Sequence, residues 1–217
     1  MTWVQFSGLA YPNYFFVTKD IYGIESELAE HGCERQTDSI HFSRRFEYPW
    51  AWLQIPENVQ RHLDAGGGGA TFQYLLARFI PSVTNVDHNP MWVEKVNEVK
   101  RRTGMFQNLD VVHGDIADLS RLPDKWFGST TCISVVEHSD KGTTEKMLDE
   151  LLRVTGGPVL MSVDVGEGDE LMSLADLFHL SQRYEFLVPF LPPDVMNCTT
   201  YSGKAFKVAC IRLEGGR

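Results

Sequence analysis

The chain is sparing with several features, and each shortage narrows what it can be. Four cysteines in 217 residues, at positions 33, 132, 198 and 210, include no Cys-x-x-Cys pair. That excludes a disulfide-stapled miniprotein. Cys132 and Cys210 stand in apolar runs and read as buried thiols, so a reducing, cytoplasmic setting is expected. No run of about 18 apolar residues occurs and no secretory leader layout opens the chain, so no membrane partner is expected. Basic charge is scarce: 20 Lys and Arg stand against 29 Asp and Glu, for a net charge of −9. A nucleic-acid partner is therefore not expected, because phosphate binding asks for a basic face. Internal repeats and low-complexity tracts are absent as well. What remains is ordinary for a soluble globular chain, 43% hydrophobic and 23% charged. The length suits one domain with a substantial core.

Aromatic residues are plentiful but uneven, with 12 of the 25 in the first 52 positions. Residues 1–55 read as a helical, aromatic cap or lid, or else as helices packed on a sheet edge. From residue 58 onward, strands and helices alternate, which predicts a parallel α/β sheet. The pattern gives strands at 59–65, 83–87, 109–113, 130–136 and 158–165. It gives helices at 70–79, 90 to about 104, 144–154 and 169–183. Asn89-Pro90 is a helix start, with Asn as N-cap and Pro at the first helical position. Two last strands, 186–190 and 206–213, have no helix pattern between them and should be antiparallel neighbours.

The chemistry concentrates at the ends of these strands. Asp64-Ala65-Gly66-Gly67-Gly68-Gly69 joins the first strand to its helix. Such a loop lets backbone approach a ligand and offers free N–H groups at the helix start. Asp87 ends the second strand, 19 residues past Gly68, where a carboxylate can accept both ribose hydroxyls of a nucleotide. The loop is Asp-x-Gly-x-Gly, not Gly-x-Gly-x-x-Gly. An acid two residues before the first glycine is unwelcome beside a pyrophosphate and suits a cofactor bearing an ammonium group. Gly114-Asp115-Ile116 closes the third strand, where an Asp can accept the amine of adenine and Ile can cover a ring face. The fourth strand ends in Ser134-Val135-Val136-Glu137-His138.

Over residues 59–165 these motifs, in this order, resemble the class I S-adenosylmethionine-dependent methyltransferases, small-molecule branch. The resemblance implies a three-layer α-β-α sandwich around a seven-stranded, mostly parallel sheet with an antiparallel last strand. It implies a cofactor-binding unit over residues 56–217 and S-adenosylmethionine as cofactor, with S-adenosylhomocysteine as product. Asp64, Ala65, Gly66 and Gly68 would surround its methionine part. Asp87, with His88 beside it, would hold the ribose, and Asp115 and Ile116 the adenine. Ile133 and Ser134 would line the cofactor from the fourth strand. Upstream, in Arg44-Arg45-Phe46-Glu47-Tyr48-Pro49-Trp50, Arg45 would pair with the cofactor carboxylate. Tyr48 or Trp52 would face the sulfonium or the substrate, since an aromatic face attracts a cation. The alternative is that these aromatics pack N-terminal helices on the sheet. Tyr201, in a loop over 189–204, would add to the acceptor pocket.

The implied reaction is displacement at a sulfonium methyl on a small-molecule acceptor, for which the protein supplies alignment and desolvation. His138 is the candidate base, because imidazole titrates near neutral pH. No metal is expected, since His and Cys do not cluster at ligand spacing. Two other readings stay open. One is a nucleoside-binding module without catalysis. The other is an NAD(P)-dependent oxidoreductase, disfavoured by Asp64 and by the missing spaced glycine. Oligomeric state is open.

Overall fold

The computed structural model describes residues 17, 19–33, 43–168, 171–186, 198–199 and 205–215, and of Arg45, Cys198, Thr199 and Ala205 the backbone alone. Among the described residues two helices come first, α1 (19–30) and α2 (Arg44–Gln54). The alternating part follows: β1 (Arg61–Ala65), α3 (Phe72–Phe79), β2 (Ser82–Asp87), α4 (Pro90–Thr103), β3 (Leu109–His113) and β4 (Ser129–Ile133). It continues with α5 (Lys141–Val154), β5 (Pro158–Gly166), α6 (Leu174–Arg183), β6 (Cys198–Thr199) and β7 (Ala205–Glu214). The seven strands form one sheet in the order β3-β2-β1-β4-β5-β7-β6. The first five are parallel, and β7 runs antiparallel to both β5 and β6. The order reverses between β1 and β4, which places a ligand crevice outside their carboxyl ends.

Two apolar layers hold the sheet. On one face, Ile21, Ile24 and Leu28 of α1 join Trp50 and Ala51 of α2, Leu75 and Leu76 of α3, and Val96 of α4. On the other face, Leu148 and Leu151 of α5 and Leu177 and Leu180 of α6 cover Leu63, Cys132, Met161 and Val163. Side chains alternate across a strand, so one β1 face carries Leu63 and Ala65 into the second layer, while His62 and Asp64 project under the first.

Several boundaries differ from the sequence pattern, each for a local reason. β4 stops at Ile133, three residues early, because Ser134 takes φ 49°, which no strand continues. A single 3-10 turn, Val136–His138, follows. α5 starts at Lys141, where the Asp140 carboxylate caps it by accepting from Thr143 N–H. α6 starts at Leu174, where the Ser173 hydroxyl accepts from Asp176 N–H. α4 begins and ends as its residues predict: the Asn89 side chain accepts from Met91 N–H, and Gly104 closes the helix at φ 68°. Of the strand expected at 186–190, residues 187–190 lie outside the described residues, and β7 pairs with 198–199 instead.

Candidate active site

The loop after β1 is built by short-range contacts. Gly66 N–H donates to Val86 O, tying the loop to β2, and Gly66 adopts φ 70°. A Cβ there would come within 2.6 Å of the Val135 side chain, so the close approach of the loop to the β4 exit requires glycine. Gly68, at φ 56°, donates its N–H to Asp87 Oδ2 at 2.9 Å. The other carboxylate oxygen of Asp87 accepts from Asn89 N–H at 2.8 Å. A Cβ at Gly68 would stand 3.9 Å from both Asp87 Oδ2 and Trp92 Cδ1, in the space between loop, acid and ring. Below the loop, the Asn85 and Gln73 amides both donate to Gly68 O, and Asn85 also donates to Gln73 Oε1.

Asp64 sits at the end of a buried hydrogen-bond chain. Thr131 Oγ1 donates to Asp64 Oδ1 at 2.8 Å, so the same hydroxyl accepts from His62 Nε2 at 2.9 Å. That sets the Nε2–H tautomer of His62 and leaves Nδ1 to accept from Ser129 Oγ at 2.7 Å. Burial keeps His62 neutral by pushing it down to about 3. This chain explains a polar residue in the middle of a central strand. Burial pushes Asp64 up to about 7, reinforced by the charge of Asp87 and opposed by the Thr131 hydrogen bond.

A second cluster assembles across β4, β5 and α2. Glu47, fully buried, accepts from Ser134 Oγ at 2.9 Å and Ser162 Oγ at 2.5 Å on one oxygen, and from Arg44 at 2.6 Å on the other. Arg44 also donates to Ser134 Oγ. Burial would raise Glu47; the charge of Arg44 and hydrogen bonds from Ser162, Ser43 and Arg44 outweigh it and hold the carboxyl below its ordinary value. Next to this pair, Glu137 accepts from Asp164 N–H, and burial with the nearby Asp164 charge pushes it up to about 8.

The expected site residues divide accordingly. Asp64, Ala65, Gly66, Gly68, Asp87, Ile133 and Ser134 come together along the crevice at the carboxyl edge. Asp115, exposed, accepts from Ala117 N–H at the exit of β3, with Ile116 buried behind it. His88 projects into solvent beside Asp87. His138 is exposed on the 3-10 turn, while its neighbour Glu137 faces inward. Tyr48 is buried and stacked on Phe72, with ring centroids 4.6 Å apart, and burial raises its hydroxyl to about 12. Trp52 packs on Phe79, at the end of α3 remote from the glycine loop, so it does not reach the crevice. The arginine that α2 delivers to the strand ends is Arg44; the Arg45 side chain and Tyr201 lie outside the described residues. Trp92, Asn85, Gln73, Thr131, Glu47 and Ser162 complete the site without having been singled out by any motif. The Asn-Pro helix start, which puts Trp92 two residues past Pro90, was the signal available for one of them.

Residues 63–159 match the family described as methyltransferase domain. No curated protein matches the sequence. Among solved structures, an S-adenosylmethionine-dependent methyltransferase from Methanosarcina mazei is 17% identical, with a TM-score of 0.62, over 77% of this chain and 97% of that one. Magnesium protoporphyrin IX methyltransferase from Synechocystis, with bound S-adenosylmethionine, is 15% identical, with a TM-score of 0.56, over 78% and 76%. The 4+2 cyclase SpnF is 20% identical, with a TM-score of 0.55, over 64% of this chain and 56% of that one, so this chain spans just over half its length.

Residues 63–159 thus match a methyltransferase domain, on a fold this chain shares with a methyltransferase that depends on S-adenosylmethionine. The residues present fit that molecule. Two acids and positive-φ glycines line one edge, and the space a Cβ would fill at Gly68 lies against the Asp87 carboxylate. Among the described residues, no helix is long and apolar enough to cross a membrane.

Proposed function

We propose that the protein transfers the methyl group of S-adenosylmethionine to a small-molecule acceptor at the ends of β4 and β5. The observation that carries this is the line of groups on the carboxyl edge: buried Asp64, the Gly66–Gly68 loop and Asp87, each held from below. In this reading Asp64 faces the cofactor ammonium, Asp87 the ribose hydroxyls, Asp115 the adenine amine and Ile116 a ring face. Residues 1–55 contribute α2, whose Arg44 and Glu47 form the wall beside the reacting methyl. The exposed cations of α4 favour no nucleic acid, since Arg101 pairs with Glu94 and Arg102 with Glu98 on their own helix.

The cofactor supplies an activated methyl; the protein holds it, excludes water and presents the acceptor in line. Asp87→Ala should weaken S-adenosylhomocysteine binding well over tenfold, since hydrogen bonds to a charged group are worth roughly 1.5–3 kcal/mol each. Calorimetry on the folded variant tests it, and unchanged affinity would remove Asp87 from the site.

A further inference from the structure

One cavity at the carboxyl edge is not used by the cofactor residues. It measures about 150 Å³ and lies between the 3-10 turn after β4, the segment after β5, and the first turns of α5 and α6. A water occupies about 30 Å³ of liquid volume, so the space suits a molecule of a few heavy atoms. Leu171 and Met172 give it an apolar side, and Lys141 and Asp176 bring one charge of each sign. Glu137 lines its floor, 5% exposed. One oxygen of that carboxyl accepts from Asp164 N–H; the other, Oε2, is buried with no hydrogen-bond partner. A buried carboxyl oxygen left so costs free energy, and a ligand donating to it would recover that cost.

The charges around Glu137 choose the ligand. Asp164 of β5 adds a second carboxyl, while the Arg44 guanidinium of α2 is engaged by Glu47. Lys141 of α5 and Asp176 of α6 line the same cavity, and Cys132 of β4 lies within the field of Glu137. The buried end of the cavity therefore carries acid not matched by base, which favours an N–H donor over an anionic or purely acceptor group.

We propose that this cavity receives the amino group of the acceptor, a small primary or secondary amine, and that Glu137 Oε2 takes the proton the amine sheds. In the step the nitrogen lone pair forms the N–C bond as the C–S bond breaks. The electron pair of that bond goes to sulfur, and the N–H proton passes to the Glu137 carboxylate. Burial raises Glu137 to about 8, so the carboxylate that takes the proton is the form present above that pH, and the step should quicken as pH rises through it. This rests on the methyltransferase reading and gives Glu137 the role that the sequence pattern offers to His138.

The test uses the full chain with S-adenosylhomocysteine, probed by saturation-transfer NMR with isopropylamine and its isostere isopropanol. Wild type should bind the amine more tightly than the alcohol, whose O–H can donate to the carboxyl but brings no charge to it. Glu137→Gln should weaken amine binding about tenfold, as loss of a charge-assisted hydrogen bond predicts, with S-adenosylhomocysteine affinity retained. If Glu137→Gln does not fold, the amine-against-alcohol comparison on wild type decides alone. Equal binding of the two probes, or an amine affinity indifferent to Glu137→Gln, overturns the inference while leaving the methyltransferase reading in place. Failure of wild type to bind S-adenosylhomocysteine overturns that reading itself.

Discussion

The two sides of the crevice are made differently. On the β1–β2 side, a glycine loop, strand-end acids and a capped helix follow one another within about 25 residues of chain, and backbone amides do most of the holding. On the β4–β5 side the work is done by charged and hydroxyl side chains from distant segments, gathered around Glu47. The first side is a preformed cradle that one stretch of sequence can specify. The second exists only once α2 has packed onto the sheet, so its chemistry depends on tertiary structure.

The sharpest way to break this contrast is to remove Glu47. Glu47→Ala leaves Arg44 without its carboxylate and the hydroxyls of Ser134 and Ser162 without their acceptor. Losing one partner of a buried pair costs about 3–5 kcal/mol, and because Arg44 keeps 22% exposure the lower end is expected. Chemical denaturation should show a loss of about 3 kcal/mol. A loss near zero would mean that α2 is not fastened at the strand ends. Among comparably buried substitutions, none on the β1–β2 side should cost as much.

The same contrast explains what could be read from the chain. Asp64, Gly66, Gly68 and Asp87 were legible because strand, loop and helix are contiguous and their spacing is dictated by local geometry. So were the mostly parallel sheet with its antiparallel last strand, implied by the family resemblance, and the Asn89–Gly104 helix limits. Arg44 and Glu47 were not, because the partners of Glu47 lie 87 and 115 residues away in Ser134 and Ser162. No short-range pattern distinguishes Arg44 from Arg45 or shows that Trp52 turns toward Phe79. Nothing local accounts for His62 inside a central strand; its partners, Ser129 and Thr131, lie 67 and 69 residues on. The early end of β4 was hidden because Val135 and Val136 are good strand residues, and the break comes from the backbone of Ser134.

Asp64 gives a smaller, pH-dependent test on the cradle side. In the folded chain it keeps its proton to about 7, against an ordinary value of 3.8. Between these limits the folded state binds more protons than the unfolded one, so stability falls as pH rises through that window. Glu137 acts in the same direction up to about 8. Asp64→Asn should flatten the part of the slope below neutrality. S-adenosylhomocysteine, presenting an ammonium, should drive the proton from Asp64 and release about one proton near pH 6. Titration calorimetry in two buffers of different ionisation enthalpy measures this, and no buffer dependence would separate Asp64 from the ammonium. Thr131→Val removes the hydrogen bond that stabilises the Asp64 carboxylate, so proton release should persist to higher pH.

The smallest effect is expected beneath the loop. Asn85→Ala removes donors to Gly68 O and Gln73 Oε1. Gly68 O retains the Gln73 amide, and the unpartnered Asn85 Oδ1 disappears along with its cost. The balance should be a loss of only about 1 kcal/mol in denaturation. Cofactor affinity should fall by a few-fold, about what freeing one side of the loop permits, because Gly68 N–H still answers to Asp87. If Asn85→Ala instead cost as much as Glu47→Ala, the glycine loop would owe its shape to side chains below it, and the cradle would be as dependent on tertiary contacts as the wall across the crevice.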